Sequence, residues 1–316
     1  MKVLLIANAV ASSFSARRRV VIRKALAADH DLTAVETERR GHATELAAQA
    51  AADGFDVVVV LAGDGTLNEA ACGLVGTSTA LAPLPGGSTN VYAQSIGVPL
   101  DPVDAASVLL QSLESNSTTR IGVGRVNDRH FLFHCGAGFD AAVIRRVEQY
   151  GNLKRHAAHP IYVAAAFDTW FRGFDRRSPG FDIDLGSTGE RIEGVYFAIV
   201  HKQTPYTYLG HRPIHVQPAA TLHTPLAITA FTQLGVVTLL GSAASAMATG
   251  RFLRRRRSVV RRIDVEHATF IGRSPIAHQV DGDDLGDAYR LEIVHVPDAL
   301  TLVTPMTIDE PTPITS

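Results

Sequence analysis

Cysteine is almost absent from this chain of 316 residues: Cys72 and Cys135 each stand alone, and no CxxC pair occurs. That excludes a disulfide framework and a thiolate zinc site. Neither sign of charge is in excess, with 30 Lys and Arg against 31 Asp and Glu, which excludes a whole-surface polycation built for nucleic acid. No GxxxxGK[ST] run is present, so the chain is not a P-loop enzyme. The first strand-like segment is not followed by GxGxxG, which argues against a Rossmann dehydrogenase. A lone G-x-G-x-x-A match at Gly136–Ala141 has no second parallel strand bearing an acid after it. Internal repeats are lacking. The apolar run at Met1–Asn8 has no small-residue cleavage region after it and reads as a buried first strand rather than a signal peptide. Pro225–Gly250 carries no charge. Its Thr229, Thr232, Gln233 and Thr238 and its Ser/Ala-rich second half make it a strand followed by a packed helix rather than a membrane span. A cytoplasmic protein is expected.

What is present is 46% hydrophobic and 19% charged, enough for a sizeable core in two domains. The first 115 or so residues alternate strand-like runs with helical spacing. Val3–Ala7, Thr33–Glu36, Asp56–Leu61 and Thr79–Leu84 are the strands. Arg17–Ala28, Ala43–Ala52, Leu67–Leu74, Asn90–Ile96 and Asp101–Leu113 are the helices. That alternation predicts βαβ units and a parallel sheet. From about Thr119 strand follows strand: Arg120–Val126, His130–Cys135, Phe181–Leu185, Gly194–Val200, Ile214–Gln217, Ala227–Phe231, Arg262–Phe270, Ala277–Val280, Tyr289–Val296 and Leu300–Val303. Helices at Ala141–Tyr150 and Ile161–Phe171 interrupt them. The fold class is therefore α/β, an N-terminal parallel-sheet nucleotide-binding domain plus a C-terminal antiparallel β-sandwich-like domain. The expected boundaries are 1–118, with 300–316 a candidate to complete it, and 119–299.

Ligands of parallel sheets bind where the strands end. There the sequence places two glycine-rich loops, each opening a helix: Gly63-Asp64-Gly65-Thr66-Leu67-Asn68-Glu69 and Pro85-Gly86-Gly87-Ser88-Thr89-Asn90. Glycine lets backbone amides approach phosphate oxygens, and a helix N-terminus favours the anion. Thr66 and Thr89 add hydroxyl donors, while Asp64 and Glu69 are candidate ligands for the Mg²⁺ that accompanies ATP. As a plain turn with a capping residue, one such loop would be unremarked; two at neighbouring strand ends point to a nucleotide triphosphate.

These residues carry a resemblance. Gly63–Glu69 resembles the GGDGTxNE signature of diacylglycerol kinase-like lipid kinases, and Pro85–Asn90 is similar to their P-x-G-[ST]-x-N loop. Thr37-Glu38-Arg39-Arg40-Gly41-His42-Ala43 resembles a T-x-x-x-G-H-A segment of that family. Gly138-Phe139-Asp140-Ala141 and Gln279-Val280-Asp281-Gly282-Asp283 are similar to its later G-[FI]-D-A and Q-x-D-G-[ED] motifs. The resemblance implies ATP and Mg²⁺ as cofactors and a lipid hydroxyl as acceptor, diacylglycerol foremost. It implies ATP contacts from Asn8, Thr37, Gly63, Asp64, Gly65, Thr66, Leu67, Asn68, Glu69, Gly86, Gly87, Thr89 and Asn90. Asp281 or Asp283 would be general base, and Asp140 would face the substrate. Read as a turn, Asp281-Gly282-Asp283-Asp284 suits a type I′ hairpin; read as a calcium loop it fails at Leu285. Three departures stand out. Ala62 replaces the first glycine of GGDGT, Asn8-Ala9-Val10-Ala11-Ser12 replaces N-P-x-[AS]-G, and Thr224-Pro225 replaces an Asp-Gly that helps to hold a structural Mg²⁺.

Arg251, Arg254, Arg255, Arg256, Arg257, Arg261 and Arg262 crowd into twelve residues. Such a run suits either a solvated face or an anionic phospholipid surface; no aromatic platform accompanies it for nucleic acid. The expected partners are thus a lipid alcohol, an anionic membrane surface and a second copy of the chain in a homodimer, with no nucleic acid. The expected location is cytoplasmic, peripherally on the inner face of the membrane. NAD kinase shares the GDGT loop and is the main rival, followed by a sphingoid-base kinase and a non-catalytic nucleotide- or lipid-binding module.

Overall fold

A computed structural model of the chain describes residues 1–8, 16–149, 168–169, 178–209, 212–233 and 258–306. By contact the chain divides into two units, Met1–Val123 with the segment from Pro297 onward, and Gly124–Val296.

The first unit runs β1 (Lys2–Ala7), α1 (Ala16–Asp29), β2 (Asp31–Glu36), α2 (His42–Ala52), β3 (Val57–Ala62), α3 (Asp64–Leu74), β4 (Ala80–Pro85), α4 (Val91–Ser95) and α5 (Pro102–Glu114). Its sheet has the order β2-β1-β3-β4, all parallel, and Thr301 and Leu302 pair in parallel with Ala80 and Leu81 of β4. β3 is VVVVLA, buried at all six positions; β-branched residues without alternation suit a central strand covered on both faces. α5 is set by Asp101, whose carboxylate accepts from the amides of Val103 at 2.9 Å and Asp104 at 3.4 Å, with Pro102 in the first turn.

The second unit follows through β5 (Thr118–Val126), β6 (Arg129–Phe131), β7 (His134–Gly138), α6 (Phe139–Gln149), β8 (Phe181–Leu185), β9 (Glu190–Val195), β10 (Phe197–His201), β11 (Thr207–Leu209), β12 (Arg212–Ile214), β13 (Leu226–Phe231), β14 (Val259–Val265), β15 (His267–Val280) and β16 (Asp283–Val303). Its pairings are antiparallel. β15 pairs with β16 along one edge, while on the other edge Ala268–Gly272 pair with β8 and His278–Val280 with β7. A register shift between Ile271 and Ile276 separates the two halves, so one bent strand serves two sets of partners, a way of turning a sandwich corner. The core between them holds Cys135, Ala198, Val200, Ile228, Phe181, Phe270 and Ile293, with Phe181 and Phe270 stacked at 5.4 Å.

Several expected elements differ. α3 begins at Asp64 rather than Leu67, because an acid in the first turn is favoured there. The expected strand His130–Cys135 is broken at Leu132 and Phe133, where the chain turns to bring its amides onto Asp281. Ile214–Gln217 is strand only at Ile214. The helix expected at Ile161–Phe171 lies mostly outside the described residues, as do the tail beyond 306 and residues 234–257. Among the described residues no helix is long and apolar enough to cross a membrane, and Leu226–Phe231 of the uncharged segment is strand β13.

Candidate active site

The ends of β3 and β4 carry the two glycine loops, and these loops are packed on each other. A Cβ on Gly86 would lie 2.5 Å from the Ala62 Cα, and one on Gly87 would lie 2.7 Å from the Gly63 Cα. Any side chain there would drive the loops apart. The Gly86 amide donates to the Ala62 carbonyl at 3.0 Å. Ala62 itself, small enough for this crossing, keeps the loop closed where the resemblance expected glycine.

Asn90, which the resemblance places on ATP, braces its own loop. Its Oδ1 accepts from the amides of Gly86 at 3.0 Å and Gly87 at 2.7 Å, and its Nδ2 donates to the Gly87 carbonyl at 3.0 Å. It takes up φ 47°, a backbone state that Asn tolerates well. The amides of Gly86 and Gly87 thus have acceptors within the protein. Thr89 is half-buried and its carbonyl accepts from the Gln94 Nε2 at 2.6 Å; its hydroxyl is left for a ligand to claim.

The other loop has a different balance. Gly63 caps α3 in an extended conformation without a side-chain hydrogen bond to the helix, so the first-turn amides at Gly65 and Thr66 have no capping side chain from it. Asn8, at the end of β1, donates from Nδ2 to the Thr66 Oγ1 at 3.2 Å. Thr37, at the end of β2, donates its amide to the Ala7 carbonyl at 2.9 Å. Asn8, Thr37, Gly63, Gly65 and Thr66 are thus set at the carboxyl ends of adjacent strands. Leu67 belongs to the buried core at 4% exposure, and Asn68 is buried at 1% with its Oδ1 accepting from the Cys72 Sγ; helix geometry turns both side chains inward.

Asp64 and Glu69 do not form a metal-binding pair. Asp64 Oδ2 accepts from the Val91 amide at 2.9 Å and Oδ1 from the Tyr92 amide at 3.0 Å. This half-buried carboxylate is the anion at the N-terminus of α4. Burial holds its pKa above the ordinary range, opposed by those two amides. Glu69 is 8% exposed, and its Oε2 lies 3.4 Å from the Ala43 amide at the start of α2. Five residues apart on one helix, the two side chains project about 140° from each other, one to α4 and the other to α2. Among the described residues no group of three His, Cys, Asp or Glu side chains could hold a metal ion.

In the second unit the late motifs come together. Asp281, at φ 48°, and Gly282, at φ 90°, make the two-residue turn between β15 and β16. Asp281 is 6% exposed and accepts three amides: Leu132 at 2.7 Å, Phe133 at 3.1 Å and His134 at 2.9 Å. A carboxylate whose oxygens accept three amides latches the turn between β6 and β7. Asp283 is half-buried, with Oδ2 3.8 Å from an Arg129 nitrogen. Asp140, in the first turn of α6, accepts from the Tyr206 hydroxyl at 2.6 Å and from the Gln279 Nε2 at 2.8 Å. Burial raises its pKa, opposed by these two donors. Gln279 in turn accepts from the Gly282 amide at 2.9 Å, so Asp140 and the Asp281–Asp283 turn are joined through one side chain. A Cβ on Gly136 would meet the Asp140 Oδ2 at 1.7 Å; glycine there is space for the carboxylate.

Four polar residues beside this network carry no sequence motif. The Tyr206 ring lies 4.6 Å from the His134 ring and 6.4 Å from that of His201. His134 and His201 face each other across β7 and β10. Burial pushes His134 down to about 3 and His201 well below its usual value, so both are neutral at pH 7. Lys202 is 2% exposed. The strand alternation that turns Ala198 and Val200 inward also turns Lys202 inward; pairing in space was the missing signal for the others. Of the arginine cluster, Arg251 and Arg254 to Arg257 lie outside the described residues. Arg262 pairs with Glu190 and Arg261 donates to the Val216 carbonyl.

The fold and the loops define an α/β protein with a glycine-capped helix N-terminus at the ends of parallel strands, joined to an antiparallel unit. Residues 2–126 match the family model of the diacylglycerol kinase catalytic domain. A Pseudomonas putida protein described as "Probable lipid kinase YegS-like" is 36% identical over 167 residues, 52% of each chain. A Staphylococcus haemolyticus diacylglycerol kinase is 31% identical over 114 residues, 35% of this chain and 33% of its own. The matched stretches thus span about a third to a half of these curated relatives. Among solved structures, a Bacillus anthracis diacylglycerol kinase superposes with TM-score 0.67 at 19% identity, covering 96% of each chain. An Archaeoglobus fulgidus NAD kinase in complex with ATP superposes with TM-score 0.52 at 11% identity, covering 97% of this chain and 94% of its own. At these identities the two structures establish the shared fold.

Proposed function

We propose that the protein is an ATP-dependent lipid kinase that transfers the γ-phosphoryl group of ATP to a lipid hydroxyl, with diacylglycerol as acceptor and phosphatidic acid as product. The observation that carries this reading is the N-terminus of α3, glycine-capped at Gly63 and set beside Asn8 and Thr66 at the strand ends. Amides aimed outward at the positive end of a helix suit a phosphate. The match of residues 2–126 to the diacylglycerol kinase catalytic domain supports ATP as the nucleotide and a lipid alcohol as acceptor.

Phosphoryl transfer asks chiefly for alignment and charge neutralisation. In this reading Asn8, Thr37, Gly65, Thr66 and Thr89 bind and orient the phosphates. The packed loops at Gly63 and Gly87 keep those groups rigid. A bond forms between the lipid oxygen and the γ-phosphorus, the bond to the β–γ bridging oxygen breaks, and ADP leaves. The proton of the lipid hydroxyl passes to the Asp283 carboxylate, and Asp281 holds the turn that presents it. Asp64 and Glu69 do not fit as a Mg²⁺ pair, so no step passes through a metal held by them. A bilayer substrate requires contact with a surface, and the cluster from Arg251 to Arg257 is the proposed contact, at about 1 kcal/mol per basic residue.

The experiment is transfer of radiolabelled γ-phosphate to a panel of diacylglycerol, a sphingoid base, another glycolipid alcohol and NAD. Label in phosphatidic acid supports the reading, and label in another lipid moves the acceptor. Label in NAD replaces the lipid kinase with an NAD kinase, and ATP binding without transfer to any acceptor replaces it with a binding module.

A further inference from the structure

Lys202 is among the largest fully buried side chains of the protein, and among the described residues it has no carboxylate partner. It follows β10 with its side chain on the face of Ala198 and Val200, which line the core of the second unit. Its Nζ donates to three backbone carbonyls: Leu222 at 2.8 Å, Thr224 at 3.0 Å and Thr221 at 3.2 Å. An ammonium has three N–H donors, and here all three are used.

Those carbonyls come from four consecutive residues, and the segment is closed on itself by Thr221 and Thr224, whose amide and hydroxyl meet at 2.9 Å. Three carbonyl oxygens converging inside a protein turn the negative ends of their dipoles to one point. Such a cluster is unfavourable unless a cation sits at its focus, which is why rings of carbonyls elsewhere replace the hydration shell of alkali ions. Burial acts on Lys202 in the opposite sense and pushes its pKa down to about 8, so the ammonium still prevails at neutral pH.

The clamp also reaches the turn that Asp281 holds. The amides of Lys202 and Gln203 both donate to the Phe133 carbonyl, at 2.9 and 3.3 Å. The Phe133 amide is one of the three on Asp281. Segment 221–224, the end of β10 and the turn at Leu132–His134 are thereby tied in series.

We propose that the carbonyls of Thr221, Leu222 and Thr224 form a cation-binding site whose cation is the chain's own Lys202 ammonium, and that removing this side chain opens the site to a free monovalent cation. The class of ligand is a small ion that carbonyl oxygens solvate: ammonium, methylammonium or potassium.

The test is thermal unfolding of the full chain in chloride salts of ammonium, methylammonium, potassium and choline at equal ionic strength. Wild type should be indifferent to the cation. Lys202→Ala should lose roughly 5–10 °C of Tm in choline. It should regain most of that, saturably, in one or more of the small cations. Lys202→Met fills the stem without a charge, and should be destabilised and gain nothing from any cation. The proposal is overturned if Lys202→Ala responds to ionic strength alone, or if Lys202→Met is as stable as wild type. Should both variants fail to fold, the wild type still decides. The chain has four lysines, Lys2, Lys24, Lys154 and Lys202. With ¹⁵N-labelled lysine, one slowly exchanging Nζ signal at neutral pH is expected from a caged ammonium, and its absence refutes the cage.

Discussion

Removing the carboxylate of Asp64 separates a catalytic part from a structural one. Asp64→Ala withdraws the acceptor from the amides of Val91 and Tyr92, which are 5% and 0% exposed. Those N–H groups then start helix α4 without a partner. A hydrogen bond to a charged acceptor contributes about 1.5–3 kcal/mol, and a buried orphan donor costs about 1–3 kcal/mol. With partial relaxation the two bonds together amount to ~3 kcal/mol, a fall of roughly 6–12 °C in Tm. An exposed loop acid would cost about 0.5 kcal/mol or less. Asp64→Asn keeps one accepting oxygen but turns an NH₂ toward the second amide, so it should fall between the two. The assay is thermal unfolding followed by circular dichroism, with hydrogen exchange at Val91 and Tyr92 reporting the local effect. Full stability of Asp64→Ala, with those amides still protected, would refute the reasoning and return Asp64 to the metal.

Thr66→Val should weaken ATP binding, read by calorimetry, while unfolding free energy stays within about 0.5 kcal/mol of wild type. Unchanged affinity would remove Thr66 from the phosphate site. Asp283→Asn should lower kcat by about 10²–10⁴-fold with ATP affinity unchanged. Asp281→Asn should instead lower Tm, since Leu132, Phe133 and His134 lose a charged acceptor; the reverse pattern would exchange the two roles. His134 should make the protein acid-labile. Its pKa is 6.5 unfolded and about 3 folded, so between those values the unfolded chain binds the extra proton. The stability is fully present above pH 6.5 and is lost as pH falls toward 3, by about 1.4 kcal/mol per pH unit. Urea midpoints against pH should show a shallower acid limb in His134→Leu, and an unchanged limb would rule the residue out.

The amino-acid order by itself determined the two kinds of sheet. VVVVLA at 57–62 could only be a doubly covered strand, and the strand-after-strand pattern from Thr119 onward left an antiparallel arrangement. Spacing also marked the glycine loops, two glycines at each of two neighbouring strand ends. What they approach is a long-range fact. Gly87 meets Gly63, and Asp64 meets amides 27 and 28 residues away. Local pattern cannot show whether an acid faces a ligand or another helix, since both uses favour the same residue at a helix start. Asp281 was legible as a turn residue, but its three amides lie 147 to 149 residues earlier in the chain. Lys202 carried no motif at all. Only folding brings three carbonyls to its ammonium, since backbone oxygens are the same in every sequence and acquire their chemistry from where the chain puts them.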